Sequence, residues 1–155
     1  MTTNKIDTTH KYDLTESFGF LITRAHSAMN RRLLKNFKDA NHPITGEQYI
    51  VMHHLWEKDE ICQRELCCLT GKDKPGITRI LDNLEKLKFV ERIDDGNDRR
   101  MKLIKLTNAG RELEEKSNEL ALKTLIDFLE DVECSEVETT KKVLRTIMQK
   151  FDNLE

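Results

Sequence analysis

The chain has 155 residues, 37% of them hydrophobic and 35% charged, with a formal net charge of −2. That is about one domain in length, with the charged, solvated faces of a helical protein. No stretch approaches the ~20 apolar residues of a membrane span and MTTNKIDTTH lacks a signal-peptide core, so a cytoplasmic protein without membrane contact is expected. Cys62, Cys67, Cys68 and Cys134 form no spaced framework and no CxxC occurs. This argues against structural disulfides and a zinc ribbon, and reduced, buried thiols are the plain reading.

In chain order, Leu14, Phe18, Leu21, Ile22, Ala25, Met29, Leu33 and Phe37 recur at three- and four-residue spacing and predict a helix over about 14–38. NHPIT ends it, because Pro43 disfavours helix for the residue before it. Thr45 and Gln48 form a capping box that opens a helix in GEQYIVMHHLWEKD. Ile61 and Cys62 read as one short strand segment, and QRELCCLTGKD as a short helix stopping near Gly71. Asp73 and Pro75 are start signals for KPGITRILDNLEKLKF. There Ile77, Ile80, Leu81, Leu84 and Leu87 share a face, while Thr78, Arg79, Asp82, Asn83 and Lys86 fall elsewhere. FVERI and MKLIKL are strand-like around DDGNDRR, and Ile104 and Leu106 share one face. Thr107 then starts a long helix to about Val132. Ser135 with Glu138 reads as a second capping box, opening a last helix with Val137, Val143, Leu144, Ile147, Met148 and Phe151 inward. The apolar stripes of the first and last two helices are wide for so small a body and predict packing against a second copy, a homodimer.

The net charge hides an asymmetry. Residues 1–60 carry 8 Lys+Arg against 8 Asp+Glu, residues 61–107 carry 11 against 8, and residues 108–155 carry 7 against 12. The single basic segment suits a localised polyanion contact. It holds two short helices joined by a tight turn and then a two-stranded hairpin, the layout of a winged helix-turn-helix. In that layout the second helix enters the major groove of double-stranded DNA by its N-terminal turn. The turn carries Lys72, Lys74, Pro75, Gly76, Thr78 and Arg79. Its N–H groups and positive dipole end favour phosphate, Gly76 permits close approach, and Thr78 and Arg79 have the reach for base edges. Arg99 and Arg100, at the hairpin tip, suit the narrow, negative minor groove, with Asp98 placed to orient one of them.

The stretch TRILDNLEKLKFVERIDDGNDRRMKLIKLTNAG resembles the recognition helix and wing of the MarR family, the multiple antibiotic resistance regulators. The likeness rests on Thr78-Arg79, Leu81, Leu84, Val90, Arg92, the Asp98-x-Arg100 signature and Leu106-Thr107 with Gly110; ICQREL fits the family's short strand and third helix. Carried over residue by residue, the resemblance implies DNA contacts at Lys74, Pro75, Thr78, Arg79, Asp98 and Arg100, with Arg99 at a position often basic. It also implies an obligate homodimer on a pseudo-palindromic operator and, on family grounds alone, a repressor responsive to a small-molecule effector. Lys88 departs from the pattern, standing where relatives usually carry a helix-ending Gly, and so calls for a left-handed conformation. Cys67 departs too, at a position where Ala is common.

The expected fold is mainly α (α+β), one MarR-like domain over 1–155. A winged helix-turn-helix lobe with a small β-hairpin wing occupies 45–107, and a helical dimerisation region is built from 12–40 and 108–155. Phe18, Phe20, Arg24, Tyr49 and Trp56 either line an effector cleft or fill the core. No metal or other cofactor is expected, since the long helix over 107–132 has no His. LTGKD lacks a phosphate loop, with Leu66 in place of its first Gly and Asp73 in place of its Ser or Thr, and no HExxH or GxSxG occurs, so an enzyme is not expected. Two alternatives stay open: a winged-helix protein-interaction module, and a thiol-based redox regulator using one of the four cysteines.

Overall fold

The computed structural model describes residues 13–96, 98 and 101–152, with side chains to residue 150. Helix α1 (Phe18–Asp39) opens where Ser17, extended, accepts the Phe20 N–H. It closes at Asn41, left-handed at φ 51°. The N–H groups of Asn41 and His42 return to the carbonyls of Lys38 and Phe37 at 3.0 and 2.7 Å. This is the closure Asn supports in place of Gly, and it stacks the His42 ring edge-on to Phe37 at 4.8 Å. Thr45 and Gln48 form the expected capping box of α2 (Gly46–Glu57). A cap of this kind is worth about 1 kcal/mol. Strand β1 (Ile61–Cys62) follows, then α3 (Gln63–Thr70), which ends on Gly71 at φ 64°.

Helix α4 (Lys74–Lys86) begins at Asp73, whose carboxylate accepts the Gly76 N–H at 3.0 Å. Ile77, Ile80, Leu81 and Leu84 of α4 are buried. Each contributes about 1.5–3 kcal/mol relative to exposure, which fixes the roll of the helix and turns Thr78 and Arg79 away from the core. Leu87, on the same stripe in the sequence, is exposed. It stands at the helix end, where Lys88 takes φ 61° and Phe89 N–H reaches back to the Leu84 carbonyl at 3.0 Å. The left-handed turn expected at Lys88 is therefore present.

Strands β2 (Val90–Asp94) and β3 (Lys102–Leu106) pair antiparallel, with Arg92 opposite Ile104. β1 adds to the other edge of β3, Ile61 opposite Ile104, so the sheet has the order β1-β3-β2. Ile61, Val90, Ile104 and Leu106 enter the core with Val51, Met52 and Leu55 of α2, Leu66 of α3 and Phe37 of α1.

The long helix expected over 107–132 is divided. α5 (Asn108–Glu112) is capped by Thr107, Leu113 keeps helical dihedrals, and α6 (Glu114–Leu129) follows. The last helix, α7 (Cys134–Asp152), starts a residue earlier than its predicted cap. The Glu133 carbonyl accepts the first N–H bonds, so Ser135 lies inside the first turn and Glu138 pairs with Lys141 at 2.7 Å instead of closing a capping box. Val143, Ile147 and Met148, expected inward, are exposed in the protomer, and the Phe151 side chain lies outside those described. The chain divides into two compact units, Met1–Thr124 and Leu125–Glu155. Among the described residues no helix is long and apolar enough to cross a membrane.

Within the first unit, buried and half-buried polar pairs join distant elements. Asn36 donates to Thr124 Oγ1 at 2.8 Å, His42 Nε2 meets Ser117 Oγ at 2.8 Å, and Tyr49 OH donates to Asn118 Oδ1 at 3.0 Å. Burial, with Lys116 nearby, pulls the His42 pKa below its usual 6.5. Asp59 ties three segments together, accepting the N–H groups of Leu106 and Glu60, each at 2.9 Å, and pairing with Arg111. Burial pushes its pKa up, but these bonds outweigh it and hold the carboxyl below 3.8.

Two predictions follow from this packing. A Cβ on Gly110 would sit 2.0 Å from the Phe89 carbonyl oxygen, a backbone atom that cannot swing aside. Gly110→Ala is expected to cost about 2–3 kcal/mol in urea denaturation. A depressed carboxyl pKa contributes stability above the unfolded value that is lost as pH falls through the folded one. Asp59→Asn is thus expected to destabilise by about 1–3 kcal/mol at pH 7, and the gap to the parent to close below pH 4. A gap constant with pH would show that the charge on Asp59 is immaterial.

Candidate nucleic-acid interface

The outward face of α4 is built by the packing of its inward one. Ile77, Ile80, Leu81 and Leu84 hold the helix against α2, α3 and the sheet, leaving Lys74, Pro75, Thr78, Arg79, Asp82, Asn83 and Lys86 lining an open groove. Five of the predicted contact residues, Lys74, Pro75, Gly76, Thr78 and Arg79, therefore lie together on the first turns of α4. Lys72 stands beside them in the turn from α3.

Their electrostatics are less bare than the sequence implied. Glu47, in the first turn of α2, places one carboxylate oxygen 3.0 Å from Lys72 Nζ and the other 3.9 Å from Arg79 Nη2. Arg79 is nonetheless 75% exposed. Exposed pairs of this kind are worth at most about 1 kcal/mol, so Glu47 holds the two cations without immobilising them. The N-terminus of α4 is also partly used. Asp73 takes the Gly76 N–H and Pro75 has none, so fewer helix N–H groups face outward for phosphate than expected. Gly76 gains a second reason to be small: a Cβ there would sit 2.7 Å from the Asp73 carboxylate.

Thr78 is half-buried and held on two sides. Its hydroxyl donates to the Lys74 carbonyl at 2.8 Å and accepts from Gln63 Nε2 at 2.6 Å. Gln63 is the first residue of α3. The sequence reading missed it, because nothing in its surroundings marks a contact made 15 residues later.

The hairpin is locked to α4 by Arg92 of β2. Its guanidinium pairs with Asp82 at 2.6 Å and with Glu85, and its N–H donates to Glu85 at 3.3 Å. Beyond β2 the Met101 N–H donates to the Asp98 carbonyl at 2.9 Å, and Asp98 is exposed. Arg99 and Arg100 lie outside the described residues, as does any pairing of Asp98 with them.

The effector candidates separate. Tyr49 and Trp56 pack on the core, 6.1 Å between ring centroids, with their polar atoms engaged by Asn118 and by the Gly110 carbonyl at 3.0 Å. Phe18 and Arg24 stand exposed on α1. The four thiols are free, but not buried as expected: Cys68 and Cys134 are exposed and Cys62 and Cys67 half-buried. Cys62, Cys67 and Cys68 line a cavity of about 700 Å³ beside the base of β3. Glu57 lies 3.6 Å from His53 and 3.8 Å from His54. Among the described residues no three His, Cys, Asp or Glu are grouped to hold a metal.

Comparison with known proteins places this arrangement. A model of the MarR family matches residues 42–101. The transcriptional repressor MprA of Escherichia coli is 27% identical over 139 residues, covering 87% of this chain and 79% of that protein. Among solved structures, a mutant MarR from E. coli complexed with operator DNA superposes with a TM-score of 0.79 at 26% identity, over 88% of this chain and 99% of that one. BpsR of Bordetella bronchiseptica, whose DNA binding is regulated by 6-hydroxynicotinic acid, superposes at 0.82 with 22% identity, over 90% and 98%.

Proposed function

We propose that the chain is a MarR-family regulator, a ligand-responsive transcriptional repressor that binds a pseudo-palindromic operator as a homodimer. The observation that carries the reading is α4. Its apolar face is sunk in the core, while Lys74, Thr78 and Arg79 project from its first turns and Lys72 flanks them. A helix so presented fits the major groove, about 12 Å wide, with its N-terminal side chains toward the bases. Lys72 and Lys74 neutralise phosphates and set register, Thr78 and Arg79 read base edges, and Arg92 fixes β2 against α4, with Asp98, Arg99 and Arg100 as the wing contacts in the neighbouring groove.

The dimer is supported by apolar surface that the protomer leaves uncovered. Leu21 and Ile22 on α1 are exposed, and so are Leu125 and Ile126 on α6 and Val143 and Ile147 on α7. Apolar side chains exposed in such number mark an interface. In this reading 45–107 is the DNA-binding lobe, and 12–40 with 108–155 supply the dimer. Effector control needs only a ligand with unequal affinity for DNA-competent and DNA-incompetent dimers, of the kind the BpsR structure describes for its own regulator. The role is one of binding, with no catalytic step.

Fluorescence anisotropy across a salt series tests the reading. Each neutralised phosphate contributes about −0.9 to the slope of log affinity against log salt, so a regulator shows a steep fall and Lys72→Ala a shallower one. A flat salt response with DNA would support the protein-interaction module instead. Glu47→Gln releases Lys72 and Arg79 from a competing carboxylate and is expected to tighten duplex binding about two- to fivefold, with folding unchanged. Weaker binding would make Glu47 a positioning residue and not a competitor.

A further inference from the structure

A threonine hydroxyl in the major groove is ordinarily ambidextrous: it donates one proton and accepts at two lone pairs, and so serves any base. The hydroxyl of Thr78 is not in that position. Its proton goes to the Lys74 carbonyl at 2.8 Å, and one lone pair takes an N–H from Gln63 Nε2 at 2.6 Å. The orientation of the Gln63 amide is fixed by a second contact: the same nitrogen lies 3.4 Å from the Lys74 carbonyl oxygen, an acceptor that only a donor can face. What remains to Thr78 is a single lone pair.

We propose that Gln63 makes Thr78 an acceptor-only reader, so that the base it faces is selected for an exocyclic amine, cytosine N4 or adenine N6, over the keto oxygen of guanine or thymine. The inference rests on the reading that α4 enters the major groove. There guanine shows only acceptors and thymine shows O4 and a methyl group, while cytosine and adenine each carry an amine donor. A keto base opposite Thr78 sets acceptor against acceptor, and the hydroxyl answers only by abandoning the Lys74 carbonyl or Gln63. Gln63 is thus a positioning residue, acting on specificity through Thr78. Gln63→Met keeps the length of the side chain and removes the donor. With the amide gone, nothing but the Lys74 carbonyl holds the Thr78 rotamer, so the side chain can turn away from that carbonyl, give its proton to the groove and serve keto and amine bases alike.

The test is a binding selection from a randomised operator library, sequenced for the full-length wild type, Gln63→Met, Thr78→Val and Thr78→Ser, with melting temperatures as a folding control. The position facing Thr78 is the one whose profile Thr78→Val changes. There the wild type is expected to favour cytosine or adenine about 5- to 10-fold over guanine or thymine. Thr78→Ser keeps the preference, and Gln63→Met flattens it at that position and no other. A wild-type preference for guanine or thymine there, a Gln63→Met profile identical to the wild type, or no position altered by Thr78→Val would each overturn the inference while leaving the DNA-reading role in place. A wild type that enriches no sequence at all would overturn the role itself, and the inference with it.

Discussion

The architecture depends on one close approach, the seating of the Gly110 backbone against the carbonyl of Phe89. A side chain there would need to occupy the place of a backbone oxygen. Three other bonds converge on the junction. The Thr107 N–H reaches the Phe89 carbonyl at 3.1 Å, the Thr107 hydroxyl donates to the Lys88 carbonyl at 2.6 Å, and Trp56 Nε1 donates to the Gly110 carbonyl at 3.0 Å. Through them the turn that ends α4, the exit of β3, the start of α5 and the last turn of α2 are joined in one corner. The left-handed Lys88 is part of the same corner; a penalty of about 1 kcal/mol there is offset by the bonds it allows. Because the corner closes the C-terminal end of α4 and Arg92 clamps Asp82 and Glu85 of its last turns to β2, the helix and hairpin keep a fixed angle, which a groove-reading surface requires.

The same region shows how a basic segment is used. Its positive charge is not simply displayed. Arg92 is given to Asp82 and Glu85, Lys102 to Asp94, Lys105 to Glu60 and Lys72 to Glu47. Much of the excess seen in the sequence therefore positions the wing and sheet. On the proposed reading, the surface offered to DNA is concentrated on the first turns of α4, where Arg79 stands largely exposed. On that reading specificity and charge are separable: the hydrogen-bond inventory at Thr78 governs which base fits, and the cations around it govern how tightly any duplex is held.

Most of the element order was legible because each start and stop carries a local chemical signal: Thr45 with Gln48, Gly71, Asp73 with Pro75, and Thr107. Lys88 was legible too, through a family pattern that asked for Gly and found something else. What escaped has a common cause, contact between residues distant in the chain. Gln63 on Thr78, Asn36 on Thr124, His42 on Ser117 and the pairing of β1 with β3 leave no periodic trace. Ser135 misled because a capping-box spacing recurs by chance, and the helix begins one residue before it, on the Glu133 carbonyl. The cysteines misled for another reason: three of them sit on a short helix and its entry beside the turn into α4, where little chain lies above to bury them.

The most direct test of the central claim is hydroxyl-radical footprinting of the purified protein on the DNA upstream of its own coding region, in the presence of excess unrelated duplex. A homodimer that reads sequence through α4 predicts two protected half-sites related by a two-fold axis, their centres about one helical turn or a multiple of it apart. Uniform protection that competitor removes, or a single unpaired half-site, would contradict the account.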